Sequence, residues 1–310
     1  MPGATPAAKQ CPSAQLLIHQ KKIYMPYAIQ AIDAVVNIRT AEALLLQPDR
    51  KKFYVDKMRV APQTFDSVSL EEMLRRMDAA GTERSFLIAA KVGVKHHPAC
   101  YHVPYQLVAD AVQKYPARFS GLAGIDPTEG MAGVRALEHA VREYGFIGAH
   151  TYPHWYELAP DHARYYPFYA KCVEIDIPIQ LQVGQSMVYD VSYPRRSVGR
   201  PICLDNIACD FPELKLVGIH VGIPWTDEMI AMAWKHPNVY IACDAHSPKY
   251  WPASFIHYIN TFGREKVLFG TDFPVLDFER TRAEIEALGL RAEAKRLLFR
   301  DNARRLFKLP

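Results

Sequence analysis

The run KVLFGTDFP, residues 266–274, sets an apolar stretch, Val267-Leu268-Phe269, against an acidic terminus at Asp272 and a proline two residues later. It reads as a buried strand that ends on a polar side chain. Moving toward the N-terminus, runs of the same kind recur at Val239–Ala245, Leu214–His220, Pro178–Gly184, Phe146–Tyr152, Phe119–Ile125, Ser85–Ala90 and Ala31–Ile38, eight in all. Helical spacing follows most of them, over Ser69–Ala80, Pro104–Tyr115, Met131–Tyr144, Asp161–Glu174, Thr226–Lys235, Ala253–Phe262 and Phe278–Leu288. Eight β/α units in 310 residues predict an α/β protein, a (β/α)8 TIM-like barrel of parallel strands with helices outside.

Local signals agree with those boundaries. Ser69 before Glu71 and Glu72 makes an N-cap with acidic residues in the first turn, Gly81 closes that helix, and Thr226 with Asp227 and Glu228 suggests a second cap. Tyr115-Pro116, Phe211-Pro212 and His236-Pro237 stop three helices, because a residue before proline is pushed out of helical geometry. The uniform punctuation predicts one domain over 31–310 preceded by an N-terminal arm over 1–30. The long segment from Arg39 to Thr64 is a candidate lid.

Composition narrows the partners. Charge is near balance, 37 basic against 33 acidic residues with no basic block, which excludes a nucleic-acid or membrane-surface partner and leaves a small molecule. The apolar runs stop far short of the ~20 residues of a spanning helix, and Met1–Gln15 lacks signal-peptide character. The six cysteines, Cys11, Cys100, Cys172, Cys203, Cys209 and Cys243, form no CxxC pair, as in a reducing, cytoplasmic compartment.

In such a barrel the chemistry sits at the carboxyl ends of the strands. There the sequence places Asn37, Arg39, Lys91, Asp126, His150, Tyr152, Gln182, Gln185, His220, Asp244, His246 and Asp272. His220 and Asp272 stand out because each ends an apolar strand, where an unpaired polar group is costly. Aromatic side chains gather at Tyr152–Tyr156, Tyr165–Tyr169 and Tyr250-Trp251; His154 and Trp155 are the better pocket candidates, and Tyr165–Tyr169 the better candidate for helix packing. His96, His97 and His102 form a further loop cluster.

From Ile32 to the C-terminus the chain resembles the amidohydrolase superfamily, in the branch of aminocarboxymuconate-semialdehyde decarboxylase-like and resorcylate decarboxylase-like enzymes. The resemblance is carried by Ile32-Asp33, Phe119–Ala123, Pro178–Gly184, His220-Val221-Gly222 with Pro224-Trp225, Leu268–Pro274 and the closing Asp301-Asn302-Ala303-Arg304-Arg305-Leu306-Phe307. It implies an amidohydrolase-type barrel, and relatives that often pair make a homodimer the expected assembly.

The departures bear on mechanism. The family's metal enzymes end the first strand in Asp-x-His-x-His, and here that run is Asp33-Ala34-Val35-Val36-Asn37. The fifth-strand histidine corresponds to Gln182, whose amide is a poorer transition-metal ligand than imidazole. With only His220 and Asp272 retained, no family-type metal centre and no cofactor are expected, although His150, Asp244 and His246 leave a displaced site conceivable.

A site without an ion needs its own acid, base and donors. Asp272 fits a general base and His220 a partner that orients water or donates a proton. Asn37 and Gln182 offer amide donors, Arg39 and Lys91 would hold a substrate carboxylate, and His150, Tyr152 and His246 complete the expected binding surface. The first expectation is a metal-independent hydrolase of a small carboxylated, cyclic or lactone-like metabolite. Decarboxylation of an aromatic or unsaturated acid is second, and a catalytically silent barrel serving as a binding subunit is third.

Overall fold

A computed structural model describes residues 27–47, 51–57, 59–95, 97, 100–188 and 194–310. Its eight-stranded sheet runs in chain order: β1 Ala31–Asn37, β2 Thr82–Ala89, β3 Phe119–Gly124, β4 Gly148–Thr151, β5 Ile179–Gln182, β6 Leu216–Ile219, β7 Val239–Ala242 and β8 Val267–Leu268. Every neighbouring pair is parallel. The ends of the order meet, since Ala34 N–H donates to the Phe269 carbonyl (2.9 Å), Asp272 N–H to Val35 (2.8 Å) and Asn37 N–H to Phe273 (3.0 Å). All eight expected strands form and close the (β/α)8 barrel. The ladders are shorter than the apolar runs, because burial continues past the last regular hydrogen bond.

Helices pack outside as expected, including Leu70–Ala79, Tyr105–Lys114, Gly130–Tyr144, Thr226–Lys235 and Phe278–Glu286. The Ser69 hydroxyl accepts from Glu72 N–H at 3.1 Å, and the three residues preceding proline each follow the last helical residue. At Thr226 the expectation fails: the helix starts on Thr226 itself, with Trp225 at the cap, so its buried hydroxyl lies one position too far inside to cap. The helix that Phe211-Pro212 stops runs over Cys203–Asp210, and a two-residue ribbon pairing Lys91-Val92 with Tyr101-His102 was not anticipated.

Most of the expected arm lies outside the described residues. Its last part, Tyr27–Gln30, is docked on the barrel: the buried Arg282 guanidinium lies 4.2 Å from the Tyr27 ring centre and donates to the Ile29 carbonyl (2.9 Å). Gly124 permits the closest strand approach, since a Cβ there would meet the Ala89 carbonyl oxygen at 2.2 Å. No helix among the described residues is long and apolar enough to cross a membrane.

Candidate active site

A cavity of about 340 Å³ opens at the carboxyl ends of the strands, lined by Asn37, Arg39, Tyr152, Gln182, His220, His246 and Asp272. Seven of the nine side chains expected to act on substrate therefore converge. The segment after β1 forms one wall through Leu44, Gln47, Tyr54 and Phe65, and Trp155 and Tyr101 add two more aromatic groups. Lys57 Nζ, from the same segment, donates to the Met187 carbonyl across the mouth at 3.1 Å.

The polar floor is built by backbone turned out of ordinary geometry. His220, Ala245 and Asp272 follow β6, β7 and β8 with φ of 69°, 65° and 55°, in the left-handed region that non-glycine residues rarely adopt. This turns successive strand ends inward within a short span. His220 Nε2 lies 3.7 Å from Asp272 Oδ2 and 3.3 Å from Asp244 Oδ2. Asp244 is fully buried, and its Oδ1 accepts the His220 backbone N–H at 2.8 Å. Asn37 Nδ2 donates to Asp272 Oδ1 at 2.8 Å and to the Phe273 carbonyl at 3.0 Å, while Gln182 Nε2 meets His220 Nδ1 at 3.2 Å.

Two carboxyl groups so close in a buried site cannot both ionise at ordinary cost. Desolvation raises Asp272 to about 7, partly opposed by the Asn37 hydrogen bond, and Asp33 adds a small upward push. Asp244 is pushed up further, by burial first and by Asp272 second. His220 is held well below its ordinary value by burial and by the neighbouring His246, His150 and His154, so the imidazole is neutral. The floor thus holds an acid near neutrality beside an uncharged imidazole.

Arg39 brings the cation. It is buried, its Nη1 donates to Gln47 Oε1 (3.0 Å), its Nη2 donates to the Phe65 carbonyl, and its charge lies 5.4 Å from the centre of the Phe65 ring. Its Nε has no hydrogen-bond partner, and it forms no ion pair among the described residues. A buried guanidinium in that state is suited to a ligand carboxylate.

Lys91 and His150 are not brought to the cavity. Lys91 pairs with Glu129, which also meets Lys95 at 2.9 Å, and its ammonium lies 5.1 Å from the Tyr105 ring centre. Its charge is spent on a structural pair. His150 is completely buried within the barrel, its Nδ1 facing Gln180 Oε1 at 2.9 Å, because it stands inside β4 while Tyr152 lies beyond the strand end. His154 is buried too and accepts Val198 N–H at 3.1 Å. Tyr250 is exposed, and Trp251 instead holds the His246 loop through Nε1 to the His246 carbonyl at 2.9 Å. Of the loop histidines, His96 lies outside the described residues, and His102 Nε2 stands 3.8 Å from Asp126. Asp244 was visible as a strand-end polar residue and as a candidate for a displaced site with His220 and Asp272, and the fold brings those three together.

Residues 46–309 match the family model described as Amidohydrolase. The chain belongs to the amidohydrolase family. Among curated amidohydrolase relatives, the gamma-resorcylate decarboxylase of Polaromonas sp. (strain JS666 / ATCC BAA-500) is 24% identical over 248 residues, 65% of this chain and 74% of the relative. The barrel superposes on the uncharacterized TIM-barrel protein Bb4693 from Bordetella bronchiseptica with a TM-score of 0.75 at 23% identity, covering 91% of this chain and 99% of the other. The 5-carboxyvanillate decarboxylase of Novosphingobium aromaticivorans, solved with bound manganese, gives 0.68 at 20% identity, over 91% and 98% of the two chains. The resemblance to the amidohydrolase superfamily read from the sequence is thereby established, and the curated relative named is a resorcylate decarboxylase.

The family's own ligand set is incomplete, with Val35, Asn37 and Gln182 at three of its positions. Val35, at a first-strand ligand position, is alkyl; it and Asp244 both border Gly270, where a built Cβ would meet Asp244 Cβ at 2.9 Å and Val35 Cγ2 at 3.4 Å. Asn37, at the second position, gives its N–H to Asp272. One imidazole and two carboxylates remain, His220, Asp244 and Asp272, with donor atoms within 4.8 Å of one another. Two other such groups among the described residues, His102/Asp126/Glu129 and Asp205/Cys209/His236, lie apart from the cavity and are engaged by lysines, Lys91 and Lys95 in one, Lys235 in the other.

Proposed function

We propose that the protein is a carboxy-lyase acting on a small aromatic or conjugated carboxylic acid, with Asp272 as the proton donor to carbon. The observation that carries the reading is the pairing, in one aromatic-walled cavity, of a carboxylic acid raised to about 7 with the guanidinium of Arg39. The curated relative named above is a decarboxylase, which favours this reaction over the hydrolysis that the lost metal ligands first suggested.

Arg39 would orient the substrate through a carboxylate or an acidic hydroxyl, while Tyr54, Phe65, Tyr152 and Trp155 face its ring. Asp272 transfers its proton to the ring carbon bearing the reacting carboxylate, making a C–H bond from the ring π electrons. The C–C bond to the carboxylate then breaks, its electron pair returns to the ring, and carbon dioxide leaves. His220 relays a replacement proton to Asp272, which restores the acid. Proton and carboxylate balance, and no oxidant is needed.

The test is a panel of hydroxybenzoates, unsaturated diacids and lactones, with carbon dioxide release and ring opening followed separately. Carbon dioxide from an aromatic acid, abolished in Asp272→Asn, is expected. Lactone opening without carbon dioxide would replace this reading with hydrolysis, and silence toward the panel in a folded protein would favour a binding role.

A further inference from the structure

At the two amide positions where relatives carry a ligand, the replacement side chain turns to a surviving member of the set. Asn37 donates to Asp272 at 2.8 Å, and Gln182 meets His220 at 3.2 Å. Random loss of ligands would leave Asp272 and His220 with unanswered polar atoms on the floor; here each is held by a new amide. We infer that Asn37 and Gln182 replace the family's divalent ion, so that His220, Asp244 and Asp272 are assembled around a shared proton instead of a metal.

The hydrogen-bond arithmetic supports this where His220 faces the two carboxyl groups. His220 Nε2 and Asp244 Oδ2 are buried, have no other partner, and face each other at 3.3 Å, with Asp272 Oδ2 at 3.7 Å from the same nitrogen. One proton between Nε2 and Asp244 Oδ2 satisfies both of those atoms, with Asp272 Oδ2 next to them. If Gln182 presents its N–H to Nδ1, the proton sits on Nε2; if the amide is turned over, its carbonyl accepts Nδ1–H and the proton sits on a carboxyl oxygen. An amide serves either tautomer, which an ion on Nε2 would not allow. Asn37 adds to this, since its N–H holds Asp272 through Oδ1 and leaves Oδ2 facing His220 Nε2.

The inference concerns the same site as the proposed reaction but does not depend on which bond is broken. It is tested on the full chain, purified without added ions, by elemental analysis and by calorimetric titration with Mn²⁺ and Zn²⁺ separately. The expected result for wild type is less than about a tenth of an equivalent retained, no saturable site below about 100 μM, and a melting temperature unchanged by chelator. Asn37→Asp, nearly isosteric, removes the opposing N–H and adds a carboxylate, and should bring Mn²⁺ affinity up at least about tenfold. Melting and circular dichroism establish that the variant is folded, and Val35→His with Asn37→His provides an independent gain-of-binding pair. A stoichiometric ion in wild type, lost in His220→Ala, would overturn the inference, as would folded variants of both kinds that gain no affinity. Either result leaves the carboxy-lyase reading standing, because a decarboxylase relative itself holds manganese; conversely, a panel without turnover leaves the metal result intact.

Discussion

Replacing Asp272 by asparagine should lower activity and raise stability together. The amide keeps the shape and an oxygen for Asn37, so the 2.8 Å hydrogen bond survives, but the acidic proton is gone. Loss of the general acid predicts a fall in kcat of about a hundredfold to ten-thousandfold. The stability change follows from the raised pKa. In the unfolded chain the group titrates near 3.8 and in the fold near 7. The folded state therefore binds the extra proton, and stability drops between those values as pH rises: the penalty is absent below about 3.8 and complete above about 7. At about 1.4 kcal/mol per unit the ceiling is about 4 kcal/mol, and sharing of the proton with Asp244 and His220 reduces it to about 2 kcal/mol. Urea unfolding of both proteins should give a variant more stable than wild type by that amount at pH 8, with the gap closing toward pH 4. Equal destabilisation at both pH values would show a purely architectural Asp272, and retained turnover would refute its role as the acid.

Four further expectations come from single features. In wild type, log kcat/KM should fall with rising pH around 7 as Asp272 loses its proton, and a profile rising through that range would assign it as a base instead. Arg39→Leu should raise KM for a carboxylated substrate about tenfold to a hundredfold while leaving the melting temperature within a few degrees, checked by steady-state kinetics and calorimetry. Gly270→Ala forces a Cβ within 2.9 Å of Asp244, so it should cost activity more than a tenfold factor while secondary structure by circular dichroism is preserved. Ser69→Ala removes the cap on Glu72 N–H and should cost about 1 kcal/mol in urea, with kinetics unchanged.

The barrel was legible because its determinants are local. Runs such as Leu214–His220 and Lys266–Asp272 announce buried strands, and their last residues are the ones a barrel turns toward its mouth. What could not be read is pairing at a distance. Lys91 looked like a substrate cation because nothing nearby answers it, yet its partner Glu129 is 38 positions away. His150 and Tyr152 have the same parity, and only the end of β4 at Thr151 separates a packed histidine from a cavity residue. Asp244 was one polar strand end among several until the fold set it against His220. The wall contributed by Tyr54 and Phe65, stacked at 4.4 Å, comes from a segment whose sequence gives length but no direction.

The left-handed turns at His220, Ala245 and Asp272 set an evolutionary constraint on this barrel. Each non-glycine residue held there costs about 1 kcal/mol or more, which glycine would recover. At His220 and Asp272 glycine would delete the side chains proposed to react, so under that proposal the thermodynamic optimum and the working site cannot coincide. At Ala245 no such conflict applies, and glycine there is the neutral exchange drift should find. A selection for heat resistance alone would erode the two functional turns first, whereas a selection for turnover would hold them and draw its stability from the outer helices.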